Sequence, residues 1–73
     1  MPKYFFHLIG DLPARDLLGH ECEDDDAAKQ DGRILAHRIG TEKPEIVREE
    51  NAILVTDEDD EELFKIPLAS VNA

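Results

Sequence analysis

The stretch Asp24-Asp25-Asp26-Ala27-Ala28-Lys29-Gln30-Asp31-Gly32-Arg33-Ile34-Leu35-Ala36-His37-Arg38-Ile39-Gly40 reads as a helix with both ends marked. Carboxylates in the first turn meet the positive end of the helix dipole, whereas Arg33, His37 and Arg38 fall toward the negative end. Gly40 suits the left-handed position that closes a helix. At about 100° per residue, Ala28, Gly32, Leu35, Ala36 and Ile39 share one narrow stripe, built largely from small side chains. A helix with such a stripe lies close to whatever it covers. Gly32 costs about 1 kcal/mol relative to alanine by propensity, so it marks either tight backbone packing or a weak helix.

Upstream, Lys3-Tyr4-Phe5-Phe6-His7-Leu8-Ile9 is short, aromatic-rich and halted by Gly10-Asp11, the pattern of a strand running into a turn. Alternation puts Tyr4, Phe6 and Leu8 on one side and Phe5, His7 and Ile9 on the other. Both sides carry apolar bulk, which is typical of a central strand. Between Ala14 and Cys22, Asp16 and Gly19 bracket a turn ahead of a brief second strand, and Pro13 argues against a long regular partner for the first.

Downstream, the stretch from Thr41 to Glu50 reads as a loop with one helical turn after Pro44. Ala52 to Thr56 and Leu63 to Leu68 then form a hairpin, with Phe64, Ile66 and Leu68 toward the core, Lys65 toward solvent and Pro67 near the end of an edge strand. The segment from Ala69 to Ala73 carries no clear signal. The order β-β-α-β-β predicts an α+β fold, a small antiparallel sheet of three to four strands with one helix packed on one face. Residues 1–73 form a single domain, because a chain this short buries only about 60% of its unfolded surface and cannot support two cores.

The formal charge of −10 is concentrated. Most of the eighteen acidic residues lie in Glu21-Cys22-Glu23-Asp24-Asp25-Asp26 and Asp57-Glu58-Asp59-Asp60-Glu61-Glu62, and the rest nearly balance the eight lysines and arginines. These runs are read as solvated connections between elements. Nucleic-acid backbones and anionic membranes repel such a chain, so neither is expected as a direct partner. A positively charged protein would relieve the self-repulsion. The uncovered sheet face around Phe5 and Ile9 calls for the Thr41 to Glu50 loop or a second copy, which raises the expectation of a homodimer. A lone cysteine, no apolar run after a basic start and no stretch of about 20 apolar residues lead to the expectation of a soluble cytoplasmic protein.

Motifs for chemistry are weak. Removal of Met1 would expose Pro2 as a secondary amine at the start of a strand, the arrangement used as a general base by the tautomerase superfamily. That chemistry also needs an apolar pocket and arginines to hold the substrate, which Lys3, Arg15, Arg33, Arg38 and Arg48 do not specify. His20-x-Cys22 with His7 and His37 lacks the spacing of a zinc site. The run from Asp57 to Glu62 lacks the central glycine and ligand spacing of a calcium loop. No phosphate loop, serine elbow or nucleophilic triad appears. No catalytic, cofactor-binding or metal-binding residue is therefore assigned, and no cofactor is expected.

Several segments together resemble a known family: the opening Met1-Pro2-Lys3-Tyr4-Phe5-Phe6-His7-Leu8, then Asp16-x-x-Gly19-x-Glu21, Asp26-Ala27-Ala28, Val55-Thr56-Asp57-Glu58 and Leu63-x-x-Ile66-Pro67-Leu68. The family comprises short bacterial proteins grouped as a domain of unknown function, whose members typically open with Met-Pro-Arg/Lys-Tyr/Phe-Phe-Phe-His. The similarity spans nearly the whole chain and implies a small β-rich α+β domain without assigned activity, cofactor or catalytic residue. Family hairpins usually carry an Asp-x-x-Gly type turn, whereas Asp57 to Glu62 has no glycine, so a looser loop is expected there. Gly32 and Cys22 stand where alanine and an aliphatic residue are common. The leading expectation is a non-catalytic acidic interaction or structural module. The alternatives are a tautomerase-type enzyme using Pro2 and an acidic decoy that binds a basic protein.

Overall fold

The computed structural model describes residues 1–72. Four strands, β1 (Lys3–Ile9), β2 (His20–Glu21), β3 (Ala52–Thr56) and β4 (Glu62–Pro67), form one antiparallel sheet in the order β2-β1-β3-β4. The helix α1 (Asp25–Glu42) lies on one face, a 3-10 turn spans Pro44–Ile46, and a one-turn helix α2 (Leu68–Val71) follows β4 directly. The fold is α+β in the β-β-α-β-β order that the sequence predicts, with β1 central.

α1 begins where its carboxylates dictate. Asp24 is the N-cap, its side chain accepting the Ala27 N–H at 2.8 Å, and Asp25 and Asp26 occupy the first turn. The buried face of the helix is Ala28, Gly32, Ala36 and Gly40, while Leu35 and Ile39 sit at its margin. Opposite it, Tyr4, Phe6, Ile53, Val55 and Ile66 complete the core with Cys22, Ile46 and Leu68. A Cβ on Gly32 would lie 2.8 Å from Ile66 Cδ1 and 3.1 Å from Val55 Cγ2, so this glycine serves close approach of helix and sheet.

Three details depart from the sequence reading. Gly40 does not close the helix, which continues to Glu42 and is capped by Lys43. Its buried position instead makes room for the Asn72 side chain, which donates to the Ala36 and Leu68 carbonyls at 3.1 and 2.8 Å. Leu68 is buried from α2, not from the strand, because the backbone turns helical immediately after Pro67. The acidic loop is tightly organised. One Asp57 carboxylate oxygen accepts the N–H groups of Asp59 and Glu61, both at 2.9 Å, and Asp60 takes the left-handed conformation (φ 65°) that glycine would otherwise supply.

Asn51 ties the ends of several elements together. Its side chain accepts the Asp11 N–H at 2.8 Å and donates to the Ile46 carbonyl at 2.8 Å, while its own carbonyl accepts the Leu68 N–H. Gly10, at φ 122°, leaves the space the Asn51 side chain fills. Replacing Asn51 with alanine strands a buried carbonyl and an amide. We expect it to lower unfolding free energy by about 2–3 kcal/mol in urea titration.

Candidate functional site

The helix uses one face of the sheet. On the other, β1 presents Phe5, His7 and Ile9 against Thr56, Leu54 and Ala52 of β3, in direct register. Phe5 and His7 stack with nearly parallel rings 6.2 Å apart. A bulge at the end of the β3–β4 pairing makes Glu62, not Leu63, the partner of Thr56. The extra residue turns the Glu62 side chain onto this open face, opposite to the side that simple alternation from Phe64 would give it.

The segment after β1 folds back along its edge. Leu8 and Ala14 exchange backbone hydrogen bonds at 2.9 Å, which sets Pro13 to Arg15 beside the strand. Next, Asp16 works as a substitute for a strand neighbour. Its carboxylate accepts the N–H of Phe6 at 3.1 Å, of Gly19 at 3.0 Å and of Leu18 at 3.1 Å, and Gly19 adopts φ 74° to close the turn. Burial opposes ionisation of Asp16, but these amides, with His20 nearby, outweigh it and hold the carboxyl below its ordinary pKa. The Asp16 N–H in turn donates to His7 Nδ1 at 3.0 Å. This bond assigns the proton of the neutral ring to Nε2, which faces Thr56 Oγ1 at 3.3 Å.

The result is a cleft of about 360 Å³ on the open face. His7, Ile9, Leu54 and Thr56 line it between Pro13 and Arg15 on one side and Asp60 and Glu62 on the other. Arg15 reaches Asp60 at 3.8 Å, and both side chains are largely exposed. Leu12, Leu17 and Leu18 of the folded-back segment project into solvent, at 65%, 78% and 84% exposure. Sequence reasoning missed these three; the signal was an apolar pair, Leu17-Leu18, inside the Asp16-x-x-Gly19 turn that cannot reach the core.

The two acidic runs meet at the start of β1. Asp25 from the helix and Asp57, Glu58 and Asp59 from the β3–β4 turn line an open hollow of about 400 Å³ with Pro2, Lys3 and Tyr4. The Glu58 carboxylate accepts the Lys3 N–H at 3.0 Å. Tyr4 donates its hydroxyl to Asp25 at 2.7 Å. That bond, together with desolvation and the charges of Asp25 and Asp24, pushes the phenol up to about 12.

Other residues weighed for chemistry are dispersed. Cys22 is buried with its thiol against Asp31 at 3.4 Å, and burial plus that carboxylate push its pKa up, away from the reactive thiolate. His20 stacks on Phe6, His37 is hydrogen-bonded to the Val71 carbonyl at 3.0 Å, and His7 lies on the opposite sheet face. Among the described residues no group of three or more histidine, cysteine, aspartate or glutamate side chains is placed to hold a metal ion.

Residues 3–69 match the family model described as Domain of unknown function (DUF6894). The chain belongs to that family. The match covers every strand, the long helix and the folded-back segment, so the open-face cleft lies wholly within the DUF6894 unit. No curated protein and no solved structure matches the chain. No helix of this DUF6894 domain, among the described residues, is long and apolar enough to cross a membrane.

Two outcomes follow from the anchoring of β1. Tyr4 is the only tyrosine, so its phenolate absorbance reports one group. Its folded pKa is raised, so the protonated phenol favours folding below the unfolded pKa of about 10, and that contribution is lost as pH rises toward 12. The absorbance transition should therefore shift down toward 10 in urea and in Asp25→Ala. For Asp16, whose pKa is depressed, the contribution is present above the unfolded carboxyl pKa of about 3.9 and lost as pH falls through the folded value. Asp16→Ala should cost about 2 kcal/mol at neutral pH and flatten the acid limb of the stability profile measured by urea titration.

Proposed function

We propose that this domain is a non-catalytic protein-interaction module that binds a positively charged partner. The observation that carries the reading is the meeting of the two acidic runs. Segments more than thirty residues apart in sequence deliver Asp25 and Asp57 to Asp59 to one surface around Pro2 to Tyr4. With a net charge of −10 on 73 residues, such a surface attracts basic proteins at long range and repels nucleic acid and anionic membranes. The uncovered sheet face supplies apolar contact area that charge alone does not. The setting we propose is the cytoplasm, where the lone buried thiol of Cys22 stays reduced.

A tautomerase role for Pro2 draws no support from these surroundings. A catalytic amine must be neutral, and carboxylates from Asp25, Asp57, Glu58 and Asp59 around it favour the protonated form. The decoy role is a special case of binding a basic protein, and no residue selects it.

Immobilised domain should retain basic proteins from native lysate at low ionic strength and release them at high ionic strength. The triple variant Glu58→Gln, Asp59→Asn, Glu61→Gln should retain markedly less. Retention indifferent both to salt and to these substitutions would sink the reading.

A further inference from the structure

Two hollows adjoin on the open face, and the Arg15–Asp60 pair stands between them. The first, about 360 Å³, has Ile9, Pro13 and Leu54 as its apolar surface; the second, about 290 Å³, has Phe5 and Leu17. Both are lined by His7, Arg15 and Asp60. With Arg15 moved aside they become one groove running along β1 from Ile9 to Phe5. At about 3.3 Å per residue this spans on the order of 13 Å, the length of a short extended segment.

We propose that this groove docks an extended segment of a partner protein, in which a lysine or arginine is flanked two residues away on each side by apolar side chains. The inference rests on the reading of the domain as a binder of basic proteins and gives that reading a location and a recognition pattern. In an extended chain, alternate side chains share one face about 7 Å apart, so the central cation meets Asp60 while the flanking groups enter the two apolar hollows. The cation takes the place of Arg15. A pair at 3.8 Å with both side chains about 70% exposed contributes little, so exchanging one guanidinium for another is nearly free of cost.

The acceptor is held ready. Asp60 is fixed at φ 65° with its N–H bonded to the Asp57 carbonyl at 3.1 Å, and the strand bulge brings Glu62 beside it. Charge complementarity selects the occupant. Asp57, Glu58, Asp60 and Glu62 border the groove against Arg15 as its one lysine or arginine, whereas a second copy of this chain brings a further −10.

The probe is an end-blocked synthetic peptide with arginine at the centre, leucine two residues away on each side and serine elsewhere, titrated into the intact chain and followed by backbone amide NMR. Shifts should concentrate on Phe5 to Ile9, Leu54 and Asp60. Asp60→Asn, which keeps a residue tolerant of positive φ, and Leu54→Thr should each weaken binding about tenfold. Arg15→Gln should tighten it several-fold more than Arg33→Gln on the helix, which makes the same change in net charge. Glu23→Gln combined with Glu49→Gln, two exposed carboxylates away from both hollows and from the hollow at Pro2 to Tyr4, should have little effect.

Equal binding by a peptide with both leucines replaced by serine, with shifts confined to Pro2 to Tyr4 and Asp59, would overturn the groove while leaving a charge-driven interaction standing. Absence of any peptide binding would overturn the groove alone, because salt-sensitive lysate capture tests the broader reading separately. Concentration-dependent shifts at Phe5 and Leu54 without peptide would also overturn it, by making a second copy the occupant.

Discussion

The helix lies close on this sheet because Ala28, Gly32 and Ala36 offer it almost no side chain, and that close approach governs the rest of the molecule. Ile66 and Val55 fill the space a Cβ on Gly32 would claim, so the apolar bulk of the interface comes from the sheet. The small residues cost helix propensity, which their packing must offset. The N-terminal carboxylates help. Asp24 caps the first turn, and Asp25 receives the Tyr4 hydroxyl, so the same end of α1 is secured both electrostatically and by a strand of the sheet.

One helix covers one face, and this has consequences on the other. Apolar side chains of β1 that a second helix would have buried are instead bordered by the segment from Gly10 to Gly19. That segment is held by polar devices: the Leu8–Ala14 bridge, the Asp16 carboxylate on three backbone amides, and the His7 ring nitrogen on the Asp16 N–H. The arrangement protects the edge of β1 beyond its two-residue partner β2, as edge strands require. It also spends the segment's leucines on solvent. Leu12, Leu17 and Leu18 therefore contribute little to the core.

The sequence was informative wherever local chemistry decides the outcome. The alternating aromatics of Lys3 to Ile9, the acidic start of the helix and the placement of Pro67 at the end of an edge strand all carry their geometry in neighbouring residues. It was uninformative where long-range contacts decide. Gly40 reads as a helix stop, yet its role is set by Asn72, whose docking depends on the turn into α2. Counting by twos from Phe64 gives Glu62 the wrong face, because a bulge adds a residue that no local pattern announces. The looseness expected of Asp57 to Glu62 ignored the capacity of one aspartate to organise a turn and of another to adopt positive φ. The cleft itself combines the last two: its floor was legible as one side of β1, whereas its two walls were not.

Both acidic runs look alike in composition, but the structure gives their members different work. Asp24 and Asp57 are occupied with backbone amides, and Asp25 accepts a phenol, so part of the negative charge is committed to the fold. Asp59, Glu61 and Glu62 have no such commitment among the contacts described, and Asp60 has a single long ion pair. Glu58 is committed to the Lys3 N–H, and the first run keeps free carboxylates of its own in Glu21, Glu23 and Asp26, but it is the β3–β4 turn that sets charge next to the uncovered face, through Asp60 and Glu62. A long-range field can attract a basic protein, but fields decay and discriminate poorly. Discrimination requires desolvated apolar contact beside the charge, and on this domain the two features adjoin where Asp60 and Glu62 border Leu54.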